Sequence, residues 1–247
     1  MLRRGERLDD LQLKDLWFIQ NPTYFCFGMD AVLLSSYARI KKGSRVLDLC
    51  SGSGIIPILL SAKTQAARVT GLELFEENAD LAKRNIALNR LEDRVDFICG
   101  DVKAYKSLLQ EASFDAVTCN PPYMKATHGL QGKSDLITAA RHETRATLED
   151  VASAASYALK SGGRFFMVHR PFRLPEIILC LSKYHLEVKG MRLVYPFADR
   201  EPNLILLEAV KGGRPRMKAE PPLIVYEKPG VYTPEVLAMY GGQEKMI

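Results

Sequence analysis

The chain has no apolar run long enough to cross a bilayer. Its longest apolar stretch, Ile55 to Leu60, falls far short of the roughly 20 residues a spanning helix needs. The first residues, Leu2-Arg3-Arg4-Gly5-Glu6-Arg7, lead into Leu8-Asp9-Asp10 and not into an apolar segment, so no signal segment is read there and a cytoplasmic location is expected. The 5 cysteines, Cys26, Cys50, Cys99, Cys119 and Cys180, include no CxxC pair, and those in apolar strand contexts read as small core residues. The 4 histidines also lack ligand spacing, so neither a disulfide framework nor a metal site is expected. Internal repeats are absent. The net charge of +5 permits a polyanionic partner without demanding one.

With 247 residues, 47% of them apolar, the chain can bury one large core. Its pattern alternates β-branched strands with helical segments. Strands are expected at Arg45–Leu49, Arg68–Leu74, Val95–Asp101, Phe114–Cys119, Arg164–His169, Glu187–Tyr195 and Asn203–Val210. Helices are expected at Met29–Arg39, Ile55–Ala62, Glu76–Asn89, Leu148–Lys160 and Pro175–Tyr184. This alternation implies a mostly parallel sheet with helices on both faces. The short link at 196–202 suits an antiparallel final pair. Residues 1–40 read as a substrate-side segment packed on the core, 41–211 as the core, and 212–247 as an arm. Gly212, Gly213, Pro215, Pro221, Pro222, Pro229 and Pro234 argue against regular structure over most of that arm. Within it, Leu223–Tyr226 could dock on the core and Pro234–Tyr240 could form a short helix.

Arg45-Val46-Leu47-Asp48-Leu49-Cys50-Ser51-Gly52-Ser53-Gly54 is a strand, a glycine turn and the start of a helix. The glycines allow positive φ and close approach of a ligand to the backbone, and the helix start beyond offers free N–H groups. Dinucleotide binders want a third small residue three positions after the second Gly, where this chain has Pro57. Asp48 at the strand end fits a cofactor without a pyrophosphate, whose cationic amino-acid group a carboxylate could hold directly or through water. The next strand ends in Glu73, 21 residues after Gly52, a register suited to accepting both hydroxyls of a ribose. The third ends in Asp101, which could accept from an adenine amino group or cap the turn that begins at Val102.

Asn120-Pro121-Pro122-Tyr123 follows the fourth strand. Two prolines fix a stiff turn with an amide on one side and an aromatic ring on the other. The ring can stack on a flat group. The Asn120 carbonyl oxygen and the Pro121 backbone carbonyl can accept the two hydrogens of an exocyclic NH2.

This ordered set resembles the class I S-adenosylmethionine-dependent methyltransferases, in their amino-group branch. Phe25-Cys26-Phe27-Gly28-Met29-Asp30-Ala31-Val32-Leu33-Leu34, Arg141-His142-Glu143 and Glu227-Lys228-Pro229-Gly230-Val231-Tyr232-Thr233-Pro234-Glu235 are similar to the tRNA1(Val) (adenine(37)-N6)-methyltransferase family. The resemblance implies an α/β, Rossmann-like fold with a seven-stranded, mostly parallel sheet and one reversed strand. It implies S-adenosyl-L-methionine as cofactor, bordered by Asp48, Cys50, Ser51, Gly52, Gly54, Glu73, Leu74, Asp101, Val102 and Asn120. It implies methylation of an adenine N6 amine in tRNA at Asn120, Pro121, Pro122 and Tyr123, with Phe27, Asp30, Arg141, His142 and Tyr232 toward the substrate.

Alternatives stay open at this level. Protein glutamine methyltransferases use the same tetrapeptide but usually carry a long N-terminal helical domain, and only about 40 residues precede the first expected core strand here. Guanine N2 or DNA adenine are other flat amines. A non-catalytic RNA-binding protein could also keep the fold. Arg141, His142 and Glu143 equally suit an internal ion-pair cluster. The basic groups Arg3, Arg4, Arg7 and Lys211, Arg214, Arg216, Lys218 suit either phosphate contact or solvated ends. A monomer is expected.

Overall fold

The computed structural model describes residues 2–23, 26–121 and 146–241. It begins with a hairpin, β1 (Arg7–Asp10) and β2 (Trp17–Gln20), where no strand was expected. Gln12, Lys14 and Asp15 between them adopt positive φ. These side chains give no Gly-based turn signal, so the local sequence does not announce the hairpin. Asn85 and Asn89 on α3 (Glu76–Leu88 and its cap) hydrogen-bond the backbone of Ile19 and Trp17, in place of a third strand. Arg84 clasps the Glu6 carboxylate through two 2.6 Å bonds and holds it down to about 2.

α1 (Met29–Tyr37) follows the hairpin. The central sheet is built from β3 (Arg45–Leu49), β4 (Arg68–Glu73), β5 (Val95–Cys99), β6 (Phe114–Cys119), β7 (Leu159–His169), β8 (Leu186–Tyr195) and β9 (Leu204–Lys211). Their order is β8-β9-β7-β6-β3-β4-β5, with β9 antiparallel to both neighbours. The seven expected strands and the reversed one are therefore present. Two short strands of the arm, β10 (Lys218–Ala219) and β11 (Leu223–Ile224), extend the edge by pairing in parallel with β8. A small hairpin, β12 (Tyr226–Lys228) with β13 (Val231–Tyr232), completes the arm's strands. The arm is thus more regular than its proline content suggests, because pieces of two or three residues fit between the prolines and pair where no missing N–H is needed.

Side chains alternate along the strands, and the sheet separates two apolar layers. Val46, Val69, Ala116, Phe166 and Leu206 face α1 and α2 (Ile55–Lys63). Leu47, Leu72, Val117, Phe165 and Leu207 face α5 (Leu148–Ala158) and α6 (Leu174–Lys183). A short α4 (Tyr105–Leu108) lies between β5 and β6, and α7 (Pro234–Met239) follows β13. Full burial of each large aliphatic side chain contributes roughly 1.5–3 kcal/mol. α5 opens with a capping box between Thr147 and Asp150, which contributes about 1 kcal/mol. It ends at Ala158, two residues before the expected end, because Leu159 already enters β7.

Of the cysteines, Cys119 is buried, Cys50 half-buried and Cys99 exposed. The core assignment therefore fails for Cys99, which stands at the end of β5, where the strand leaves the layer. Among the described residues no helix is long and apolar enough to cross a membrane.

Candidate active site

β3 has β4 on one side and β6 on the other, and the chain leaves these two neighbours in opposite directions along the sheet. A crevice opens at such a switch point, past the carboxyl ends of the strands. The turn after β3 lies there. Cys50, Gly52 and Gly54 have φ of +57°, +54° and +85°, so three of five successive residues are left-handed. Cys50 does this with a side chain, at a cost of order 1–3 kcal/mol. Gly54 has no alternative, since a Cβ there would lie 3.0 Å from the Ala82 Cβ. At Gly52 the same Cβ would meet nothing within 4 Å, so this glycine borders open space.

Asp48 organises the turn from below. It is fully buried, and it lies opposite Thr118 in the β3–β6 register. Ser51 Oγ and Thr118 Oγ1 each donate to its carboxylate at 2.6 Å. Burial pushes this carboxyl up to about 7; the two hydroxyls pull it back, and the charge of Glu73 adds to the rise. No solvent-facing surface of Asp48 remains, and Ser51 stands between its carboxylate and the turn.

Glu73 closes the other side. Its Oε2 accepts from the Gly52 N–H at 3.0 Å, and its Oε1 from the Phe75 N–H at 3.1 Å and Asn78 Nδ2 at 3.4 Å. Three donors use three of the roughly four lone-pair directions of a carboxylate. A ribose diol would meet the remaining direction and share Oε2 with Gly52 or replace it. Leu74 is half-buried beside it. Asp101 serves as a cap, Oδ1 accepting from the Lys103 N–H at 2.9 Å, with Val102 buried behind it. An adenine amino group would have to use the other oxygen. A glycine bordering open space, a carboxylate at the next strand end and a capped acid at the third fit an adenosine-bearing cofactor.

Asn120 stands at the end of β6, with Pro121 buried behind it. Its Nδ2 donates to Asp30 Oδ2 at 3.1 Å, while Asp30 Oδ1 accepts from the Ala31 N–H at 3.0 Å at the start of α1. The amide is thereby oriented with its N–H side toward α1 and its carbonyl oxygen away from it. Pro122, Tyr123, Arg141, His142 and Glu143 lie outside the described residues. Phe27 is half-buried, packs edge-on against Phe18 at 5.4 Å, and its N–H donates to Gln20 Oε1. Tyr232 is only 7% exposed, because Tyr226 and Tyr240 stack on its two sides at 5.1 and 5.4 Å. The stack leaves little of the Tyr232 ring exposed, and through it Tyr226 and Tyr240 are braced in place.

Several participants gave no sequence signal. Thr118 reads as an ordinary strand residue, and Tyr226 and Tyr240 belong to the proline-rich arm. His169, at the end of β7, is buried to 1% and is pushed down to about 4, chiefly by burial and then by Arg173. Its Nδ1 accepts from the Arg170 N–H. Both basic clusters have exposed members: Arg3 pairs with Asp80 and Arg7 with Asp9 at the surface, and Arg214, Arg216 and Lys218 are exposed as well. Among the described residues no group of three or more His, Cys, Asp or Glu could hold a metal.

The chain is similar in sequence and fold to known methyltransferases. A tRNA1(Val) (adenine(37)-N6)-methyltransferase of Porphyromonas gingivalis is 29% identical over 220 residues, covering 86% of each chain. The crystal structure of a predicted O-methyltransferase from Agrobacterium tumefaciens superposes with a TM-score of 0.70 at 26% identity, covering 86% of this chain and 96% of that one. Geranyl diphosphate C-methyltransferase from Streptomyces coelicolor, solved with S-adenosyl-L-homocysteine, shares the fold with a TM-score of 0.56 at 15% identity, over 73% of this chain and 74% of that one. The methyltransferase small domain family matches residues 16–181, and the chain belongs to that family.

Proposed function

We propose that this protein transfers a methyl group from S-adenosyl-L-methionine to the exocyclic N6 amine of an adenine in tRNA, in the anticodon loop and within the cytoplasm. The observation that carries the reading is the Asn120 amide, set at the switch point beside the glycine turn and oriented by Asp30. Support for the adenine and the tRNA comes from the relatives' shared name.

The chain's part follows from the chemistry of the amine. An exocyclic amine is a weak nucleophile because its lone pair is delocalised into the ring. Accepting its two hydrogens, at Asn120 Oδ1 and the Pro121 carbonyl, favours a rehybridised nitrogen whose lone pair points outward. Both carbonyls also stabilise the positive charge that grows on nitrogen as the methyl–sulfur bond gives way to a methyl–nitrogen bond, and the acidic aminium so formed loses its proton to water. An oxygen acceptor would have no use for the paired carbonyls. When bound, the cofactor supplies the activated methyl group. Glu73 and the turn at Gly52 would hold its adenosine end and Asp101 its base edge, while the carbonyls at Asn120 and Pro121 align the acceptor nitrogen, so that the rate comes from positioning. A base reaches such a crevice only unstacked, so a loop is the natural substrate.

Incubation with tRNA, a matching DNA hairpin and a protein fraction, using methyl-labelled cofactor and mass spectrometry of the products, tests the reading. N6-methyladenosine in tRNA is the expected product. Label confined to DNA or to glutamine would overturn it.

A further inference from the structure

A cavity of about 280 Å³ lies beside the crevice, between the start of α1, the end of β8 and the start of β9. Val194 and Val225 form part of its floor, both buried. Asp30, Arg170, Asn203 and Tyr226 supply its polar wall. Asp30 is the residue that orients Asn120, so the cavity and the amide share one carboxylate. Asn120 itself does not line the cavity. Its N–H side faces Asp30 and its carbonyl oxygen faces elsewhere, so an amine received at that oxygen belongs to a group outside the cavity.

We propose that this cavity is a second nucleotide subsite, which takes the ribonucleotide next to the methylated adenine; the assignment rests on the tRNA reading above. Among the described residues it carries one cation, one carboxylate and a phenol over an apolar floor, within a volume suited to one residue of a polymer and not a long stretch. Arg170 is held at the rim, its Nη1 donating to the Asn203 carbonyl at 3.0 Å, where a guanidinium meets a phosphate. The Asp30 carboxylate repels phosphate and accepts from the N–H groups of a base edge. The apolar floor takes a ring face. Tyr226 is a fixed wall, stacked on Tyr232 at 5.1 Å and met by a tilted Phe197 ring at 5.5 Å. The arm therefore contributes to substrate choice without touching the methylated base.

The test uses RNA stem-loops that keep the target adenine and carry an abasic residue on its 5′ or its 3′ side. For the wild type, one of the two substitutions should lower kcat/KM about tenfold, the scale of a lost base contact, with cofactor affinity unchanged. Arg170→Gln should show a similar loss on intact RNA through KM and flatten the salt dependence of KM, as for a lost phosphate contact. Indifference of the wild type to both abasic strands overturns the subsite while leaving the function intact. An unchanged KM and salt dependence in Arg170→Gln overturn it as well. If no RNA is labelled, the function and the subsite fall together. Should Arg170→Gln not fold, the wild-type comparison decides alone.

Discussion

Asn120 and Asp30, 90 residues apart in the chain, are joined by a 3.1 Å hydrogen bond from amide nitrogen to carboxylate. The bond decides which face of the amide looks into the crevice. A free amide can turn over, and the turned form would present donors to an amine that is itself a donor. Asp30→Ala should therefore lower kcat by about ten- to a hundredfold, the range for a misplaced transition-state acceptor, while cofactor affinity holds. Asp30→Asn, whose carbonyl can still accept, should recover much of the loss. Steady-state kinetics with saturating cofactor reads both, and a wild-type kcat in Asp30→Ala would mean that the amide is oriented by something else.

Removing the acceptor should act more strongly. Asn120→Ala is expected to lose at least about a hundredfold in turnover with cofactor affinity nearly intact. Tyr123→Phe should be mild and Tyr123→Ala severe, since stacking needs a ring face and no hydroxyl. Equal loss in both Tyr123 variants would end the stacking role.

Glu73 joins two jobs, since it anchors Gly52, Phe75 and Asn78 and faces the cofactor side. Glu73→Ala should weaken cofactor binding by roughly 1.5–3 kcal/mol and also lower the melting temperature. Glu73→Gln keeps one carbonyl acceptor and should sit between. Calorimetry measures the affinities. Thermal shift of the wild type should respond to S-adenosylmethionine or its demethylated product and not to NAD.

The buried Asp48 predicts a pH signature. Its carboxyl is raised from 3.8 to about 7, so between these values the folded chain keeps a proton that the unfolded chain has released. Stability present below about pH 4 is therefore lost as pH climbs toward 7, on the order of 4 kcal/mol in all. Asp48→Asn should flatten this stretch and be the more stable protein at pH 8, even though its turn binds cofactor less well. His169, lowered to about 4, acts in the opposite direction up to its ordinary value, but equally in both proteins. The difference between their denaturant midpoints isolates Asp48, and a parallel pair of curves would contradict its buried ionisation.

The sheet was legible because its strands are buried on both sides and read as near-continuous apolar runs ending in Asp48, Glu73, Asp101 and Asn120. Those polar ends were legible too, since a strand that closes on a carboxylate or amide is unusual. The first hairpin was not, because its turn uses Gln12, Lys14 and Asp15 in conformations those residues seldom adopt. The burial of Asp48 and of Tyr232 escaped the sequence for another reason. Each depends on a partner far along the chain or on a stack, Thr118 for one and Tyr226 with Tyr240 for the other. The ion pairs of Arg3 and Arg7 likewise show that a run of cations says nothing about which acids lie opposite.

The position of β9 bears on how the chain is made. Emerging from a ribosome, β8 is complete at Tyr195, yet both of its sides are filled only by later residues: β9 from Leu204 on one, and Lys218 to Ile224 on the other. Until these arrive, ten residues of strand wait beside a half-built sheet with their N–H and C=O groups unmatched. The nascent protein therefore passes through a stage in which an open edge is offered to any neighbouring chain. Residues 204–224 end that exposure, so a premature stop before or within them would leave an aggregation-prone product whose glycine turn is already fully encoded.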